Sequence, residues 1–344
     1  MAPHNSPLNF WQGLASSTHN RAGRYSQQFH RQRRFLLLMG AGTVVASACS
    51  NVASTQERST GSPSTATRLI QHAYGETEVP ANPTRIVALG YFEVEALMSL
   101  GFQPIAAPAI LVDNLLHLPP AENEIVDIGS PSEPSLEQIA TLNPDLILAT
   151  KMFTKEDVYP LLSQIAPTVV LDADGQDDWQ KLTQLCAEAL GKETEAAQLK
   201  VDYEAKLQTL QAQLAQDPSQ TQVSVVSFGT GQIITFGNET YIGTVLEAAG
   251  LARPPKQAEG GMTQISRELL SDIDGDFLFV MKPQSQTELA AEVREALEQM
   301  KEDPLWGQLK AVQNDRVYEV DTYWFGVGYM AANLVLDDLM KHIA

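Results

Sequence analysis

From Arg68 to its end the chain alternates apolar runs of four to seven residues with stretches whose apolar side chains recur every three or four positions. Runs this short suit strands buried on both faces of a parallel sheet, and the periodic stretches between them supply the covering helices. The first series places strands at 86–89, 125–128, 145–149 and 168–171, with helices at 92–100, 136–142 and 155–164. A second series places strands at 223–228, 277–281 and 317–320, with helices at 241–248, 266–270, 287–300 and 330–343. Between the two series, Trp179, Leu182, Leu185, Cys186, Leu199, Tyr203, Leu207, Leu210 and Leu214 trace one apolar face on a long helix interrupted near Gly191. The expected architecture is therefore α/β, with two lobes joined by one long helix. The boundaries are 68–175 for the N-terminal lobe, 176–216 for the connecting helix and 217–344 for the C-terminal lobe.

Upstream, the stretch RRFLLLMGAGTVVASAC from Arg33 to Cys49 has a basic end, an apolar run and small residues before a cysteine. A run of roughly 14 apolar and small residues is shorter than the about 20 needed to span a bilayer, so residues 1–48 read as a signal peptide and the protein as exported. Ala46-Ser47-Ala48-Cys49 resembles the lipobox of bacterial lipoproteins, with Ala46 standing where Leu, Val or Ile is usual. That resemblance implies a lipidated Cys49 tethered to a membrane through residues 49–67, a Ser/Thr-rich segment with too little apolar surface to order itself. The formal net charge is −19, and residues 1–48 carry five arginines and no acid, so their removal leaves −24. A phosphate backbone demands a basic footprint, so nucleic acid is not an expected partner. Cys186, alone after Cys49, has no partner for a disulfide and reads as a buried small hydrophobe.

Motifs for catalysis are missing: there is no G-x-S-x-G, no G-x-x-x-x-G-K-[ST], no H-E-x-x-H and no G-x-G-x-x-G after a strand. The chain is therefore not expected to be an enzyme, and with only His72, His117 and His342 beyond the leader, no protein-ligated metal site is expected either. Ligands of parallel sheets bind beyond the carboxyl ends of strands. In the first lobe that rule selects Tyr91, Phe92, Ser130, Ser132, Lys151 and Met152. In the second it selects Phe228, Lys282, Tyr323, Trp324 and Phe325, with Tyr241 and Arg253 on nearby loops. Aromatics with isolated cations suit a bulky, partly apolar ligand that is anionic or rich in oxygen. Each has a plainer reading: Phe228 and Phe325 as core, Lys151 and Lys282 as solvated loop charges. Arg253 precedes Pro254-Pro255 at a stiff turn suited to clamping a carboxylate, and the Tyr323-Trp324 pair is expected to be exposed on a loop over the cleft.

The segments GETEVPANPTRIVALGYFEVEALMSLGFQPIAA, DIGSPSEPSLEQIATLNPDLILAT and DPLWGQLKAVQNDRVYEVDTYWF, followed by AANLVLDDL, are similar to the substrate-binding lipoproteins of iron-siderophore ABC importers, the ferric-citrate and ferric-hydroxamate binding family. The resemblance runs from about Gly75 to the C-terminus. It implies the bilobal periplasmic-binding-protein fold, two Rossmann-like lobes with an Fe(III)-siderophore in the cleft, no other cofactor, and iron held within its chelate. It also implies delivery by a monomer to an ABC permease and its ATPase, with Glu137 of SLEQI and Glu268 of ISREL as docking carboxylates. Both glutamates also open helices, where an acid complements the helix dipole. Cobalamin or haem as cargo stays open, with Tyr91, Tyr241 or Tyr323 available as an axial ligand. So does a sensor or enzyme that reuses the fold.

Overall fold

Two five-stranded sheets organise the computed structural model, which describes residues 66–109, 117–173, 176–214, 217–229, 232–282 and 288–344. The leader, Cys49 with most of its tether, and Gly231 lie outside the described residues. A hairpin of β1 (Thr67–His72) and β2 (Gly75–Pro80) enters the first lobe. There follow β3 (Ile86–Ala88), α1 (Tyr91–Ser99), β4 (Ala106–Ala107), β5 (Val126–Asp127), the two-residue pair β6 (Gly129–Ser130) and β7 (Glu133–Pro134), and α2 (Leu136–Thr141). The lobe closes with β8 (Leu146–Thr150), α3 (Tyr159–Ser163) and β9 (Thr168–Leu171). Every residue of β8 and β9 is buried, as expected of strands covered on both faces. The sheet order is β5-β4-β3-β8-β9 with every pairing parallel.

What reads in sequence as one interrupted helix is two helices, α4 (Trp179–Leu190) and α5 (Glu193–Gln213). Gly191 ends α4 in the left-handed region at φ 67°, a conformation that glycine adopts without steric cost. On α5, Ala196, Tyr203 and Leu210 are buried, a narrow stripe at seven-residue spacing that packs along the last helix.

The second lobe contains β10 (Val223–Gly229), β11 (Gln232–Phe236), α6 (Tyr241–Ala248), β12 (Met262–Ile265) and a 3₁₀ segment (Arg267–Ile273). After these come β13 (Phe277–Met281), α7 (Glu288–Lys301), α8 (Lys310–Gln313), β14 (Val317–Val320), a 3₁₀ turn (Thr322–Phe325) and α9 (Tyr329–His342). Its sheet, β12-β11-β10-β13-β14, is mixed: β10, β13 and β14 are parallel, whereas the β10–β11 and β11–β12 pairs are antiparallel. No described helix is long and apolar enough to cross a membrane.

Candidate functional site

In the first sheet the chain leaves β3 toward β4 on one side and β8 toward β9 on the other. Their carboxyl ends therefore frame a crevice, the switch point at which open α/β sheets take ligands. Gly90 and Tyr91 follow β3, and Lys151 to Thr154 follow β8. The Tyr91 ring stacks on Phe92 at 4.5 Å and meets the edge of Phe153 at 5.4 Å. Its hydroxyl donates to Met152 Sδ at 3.9 Å and accepts from Gln176 Nε2 at 3.3 Å. Burial holds the Tyr91 phenol well above its ordinary pKa, so it stays neutral and able to donate. Tyr91, Met152, Phe153 and Gln176 are each partly exposed, giving a wall of ring faces and a thioether with two polar tips. At the mouth, Lys151 Nζ pairs with Asp172 Oδ1 at 3.2 Å, both side chains being more than 40% exposed, at 41% and 53%. A pair so solvated contributes about 1 kcal/mol at most.

Beneath this wall lies Glu93, fully buried. On the open side of Gly90 sit its carboxyl group and the Phe153 ring. Burial pushes Glu93 up to about 8; its own amide and the Thr150 hydroxyl stabilise the anion only in part. The crevice floor is accordingly uncharged at neutral pH.

In the second lobe the carboxyl ends of β13 and β14 present Lys282 and the turn Thr322–Phe325. Lys282 pairs with Glu319, whose other oxygen accepts from Lys301 Nζ at 2.6 Å. Tyr323 is partly exposed, donates to Asp338 Oδ2 at 2.6 Å, and lies 6.3 Å from the His117 ring of the first lobe. Burial first, and then Asp338, raise its phenol well above the ordinary value. The two lobes thus meet at Tyr323, and the accessible candidates Tyr91, Lys151, Met152, Lys282 and Tyr323 all lie at carboxyl ends of strands.

Five expected contacts are not on the cleft surface. Trp324, expected as half of an exposed pair, is fully buried: its indole stacks on Phe279 at 4.3 Å and its N–H donates to Asp338 at 2.8 Å. Both polar tips reach Asp338 Oδ2, but the Trp324 indole is covered by Phe279 whereas Tyr323 stays partly exposed. Phe92 is buried, and Phe228 shares with Val226 the face of β10 that packs against Trp306 at 5.9 Å, as alternation along a strand requires. Tyr241 is buried against Trp179 at 5.4 Å and donates to the Gly328 carbonyl at 3.0 Å. Arg253 follows Ala252, which bridges to Gln222 at the start of β10, the end opposite the crevice. It is buried, donates to the Phe236 carbonyl and to Gln257 Oε1, and is pushed down to about 9 by desolvation. Its role there is to hold a loop.

Glu137 and Glu268 are both exposed. Each begins a segment leading back from the carboxyl edge, after β7 and β12 respectively, so each lobe carries one on its crevice-side rim. Ser135 caps α2 by accepting from the Gln138 amide at 3.3 Å. A hydrogen bond from Ser266 holds the Glu268 carboxyl below the usual range, with its own amide and Arg267 adding to the effect. Sequence reasoning missed Phe153, Gln176 and Glu93 as site residues. Phe153 was one residue beyond the strand-end window; Gln176 comes from a loop with no local signal. His117 carries no sequence signal beyond the scarcity of histidine in the chain. Among the described residues, no three His, Cys, Asp or Glu side chains come together as a metal site would need.

A two-sheet molecule with an aromatic crevice at a switch point has the design of a binding protein. The chain belongs to the periplasmic binding protein family, whose sequence pattern it matches over residues 86–323. Curated relatives include the probable siderophore-binding lipoprotein YfiY of Bacillus subtilis (strain 168), 32% identical over 323 residues that cover 90% of this chain and 97% of that protein. The Fe(3+)-citrate-binding protein YfmC of the same organism is 30% identical over 283 residues, 80% of this chain and 86% of that one. Among solved structures, Staphylococcus aureus SirA complexed with staphyloferrin B has a TM-score of 0.68 at 29% identity, covering 80% of this chain and 98% of that one.

Proposed function

We propose that this chain is the extracytoplasmic substrate-binding component of an ABC importer, capturing an Fe(III)-siderophore between its lobes and passing it to a permease without chemistry on the ligand. The observation that carries the reading is the switch-point crevice: Tyr91, Phe153 and Met152 offer an apolar wall, the Tyr91 hydroxyl and Gln176 offer hydrogen bonds, and Lys151 stands at the mouth. That combination suits the outer surface of a chelate whose own oxygens hold the iron, so the protein needs no ligand to the metal. The names of YfiY, YfmC and SirA with staphyloferrin B support the same cargo class. Anchoring through Cys49 and docking through Glu137 and Glu268 complete the reading. The test is the affinity of wild type and Tyr91→Ala for the same ferric chelate. Loss of the ring is expected to weaken binding about tenfold or more, 1.4 kcal/mol per factor of ten. Unchanged affinity would place the chelate elsewhere.

A further inference from the structure

One carboxylate in the first lobe is buried against the second. Glu95, on α1, has no exposed surface, yet both its oxygens are engaged. Oε1 accepts from the Ala331 amide at 3.0 Å and Oε2 from the Val327 amide at 3.2 Å. Ala331 is the third residue of α9, and Gly328 at its N-cap offers no side-chain hydrogen bond. The first turn of a helix leaves amides without intrahelical partners, and its dipole favours an anion there. Here the acceptor that a local serine or aspartate would provide comes from 232 and 236 residues away in sequence. Gly328 permits the approach: a Cβ there would lie 2.8 Å from Glu95 Oε1. His117, also of the first lobe, places Nε2 3.4 Å from Glu95 Oε2 and its ring beside Tyr323.

We propose that Glu95 is a positioning residue that joins the lobes by capping α9 from across the interface and so sets the separation of the two crevice walls. Two rigid connections transmit its effect. Glu95 lies one helical turn beyond Tyr91 on α1, so the first wall moves with it. On the other side, Tyr323 and Trp324 both donate to Asp338 of α9, so the second wall moves with the helix that Glu95 caps. A buried carboxylate is costly wherever its oxygens lack donors, and α1 would accept alanine or leucine at an interior position without that cost. The interlobe bonds are what this acid provides.

The experiment measures lobe separation without ligand, and so stands apart from the proposed cargo. Spin labels are attached through Glu156→Cys and Gln264→Cys, both exposed and one on each lobe, with Cys49→Ser and the buried Cys186 retained. The interlobe distance distribution is then recorded by pulsed dipolar resonance. Glu95→Ala is expected to broaden or shift this distribution and to lower the thermal midpoint. Adding Gly328→Ser, whose side chain occupies the space the carboxylate leaves, restores a local cap to α9. The double variant is expected to recover the thermal midpoint while the distance distribution stays perturbed. If the lobe arrangement that Glu95 holds falls to about a tenth of the population, affinity for a ferric chelate falls about tenfold. That affinity arm alone rests on the proposed function. An unperturbed distribution in Glu95→Ala, or recovery of distance along with stability in the double variant, would show Glu95 to be a helix cap only and overturn the proposal. Should Glu95→Ala fail to fold, Glu95→Gln, which keeps one acceptor and the side-chain volume, gives the same distance reading.

Discussion

Glu93 ties stability to pH in a way that can be worked through. Its carboxyl has an ordinary value of 4.5 and is pushed up to about 8 by burial in the folded protein. Between these values the unfolded chain carries the ionised acid while the fold retains the proton. Folding stability supplied by this group is therefore complete below pH 4.5 and is lost as pH rises to about 8. One pKa unit corresponds to about 1.4 kcal/mol, so the loss is about 5 kcal/mol across the whole window and about 3 kcal/mol by pH 7. Against a typical net stability of about 5–15 kcal/mol, this is a large fraction. Glu93→Gln keeps the shape and removes the titration. Urea unfolding of both proteins at half-unit steps from pH 5 to 8.5 is expected to show the variant gaining on wild type by about 1.4 kcal/mol per pH unit, with the difference levelling off above pH 8. Parallel curves would mean that Glu93 ionises normally within the fold, and the uncharged crevice floor would have to be abandoned.

Trp324→Ala should destabilise the protein by about 3–5 kcal/mol, since it empties the space against Phe279. Trp324→Phe, which keeps the stack and leaves Tyr323 on Asp338, should cost about 1 kcal/mol; denaturant midpoints decide, and equal losses would discount the packing. Reversing the charge of both rim acids, Glu137→Lys with Glu268→Lys, is expected to abolish uptake of radiolabelled iron into cells with chelate affinity unchanged; lost affinity would place them in the cleft. Cys49→Ala should release the protein from membranes into the soluble fraction, and continued pelleting would refute the lipid anchor.

Thr168–Leu171 and Phe277–Met281 were legible because burial on both faces leaves near-continuous apolar runs, and Val317–Val320 also has the bounds expected from sequence although Glu319 is exposed. Ala106–Ala107 was not, because two small residues carry no periodic signal. Gln232–Phe236 was hidden by the glycine pair before it, which reads as a turn and leaves the direction of the next strand undetermined. Strand-end reasoning selects chain positions at the carboxyl ends of strands but not the directions of their side chains. It brought in Tyr91 and Met152 together with Phe228 and Trp324, which the local backbone turns inward. Glu93 and Glu95 carry no sign of burial in the sequence, since glutamates are ordinarily solvated. They are buried because α1 is covered on several sides, by its own sheet, by α4 and by α9, and that enclosure depends on residues more than 80 positions away.

The central claim is that the crevice receives a ferric chelate, and equilibrium titration of the purified protein with ferric citrate, ferric hydroxamate, ferric catecholate, haem and cobalamin in parallel tests it most directly. Saturable binding of one ferric chelate, with no binding of its iron-free form, is the expected result. Preference for haem or cobalamin would contradict the cargo while leaving the fold intact, and no binding across the panel would contradict the assignment as an iron-siderophore binding protein.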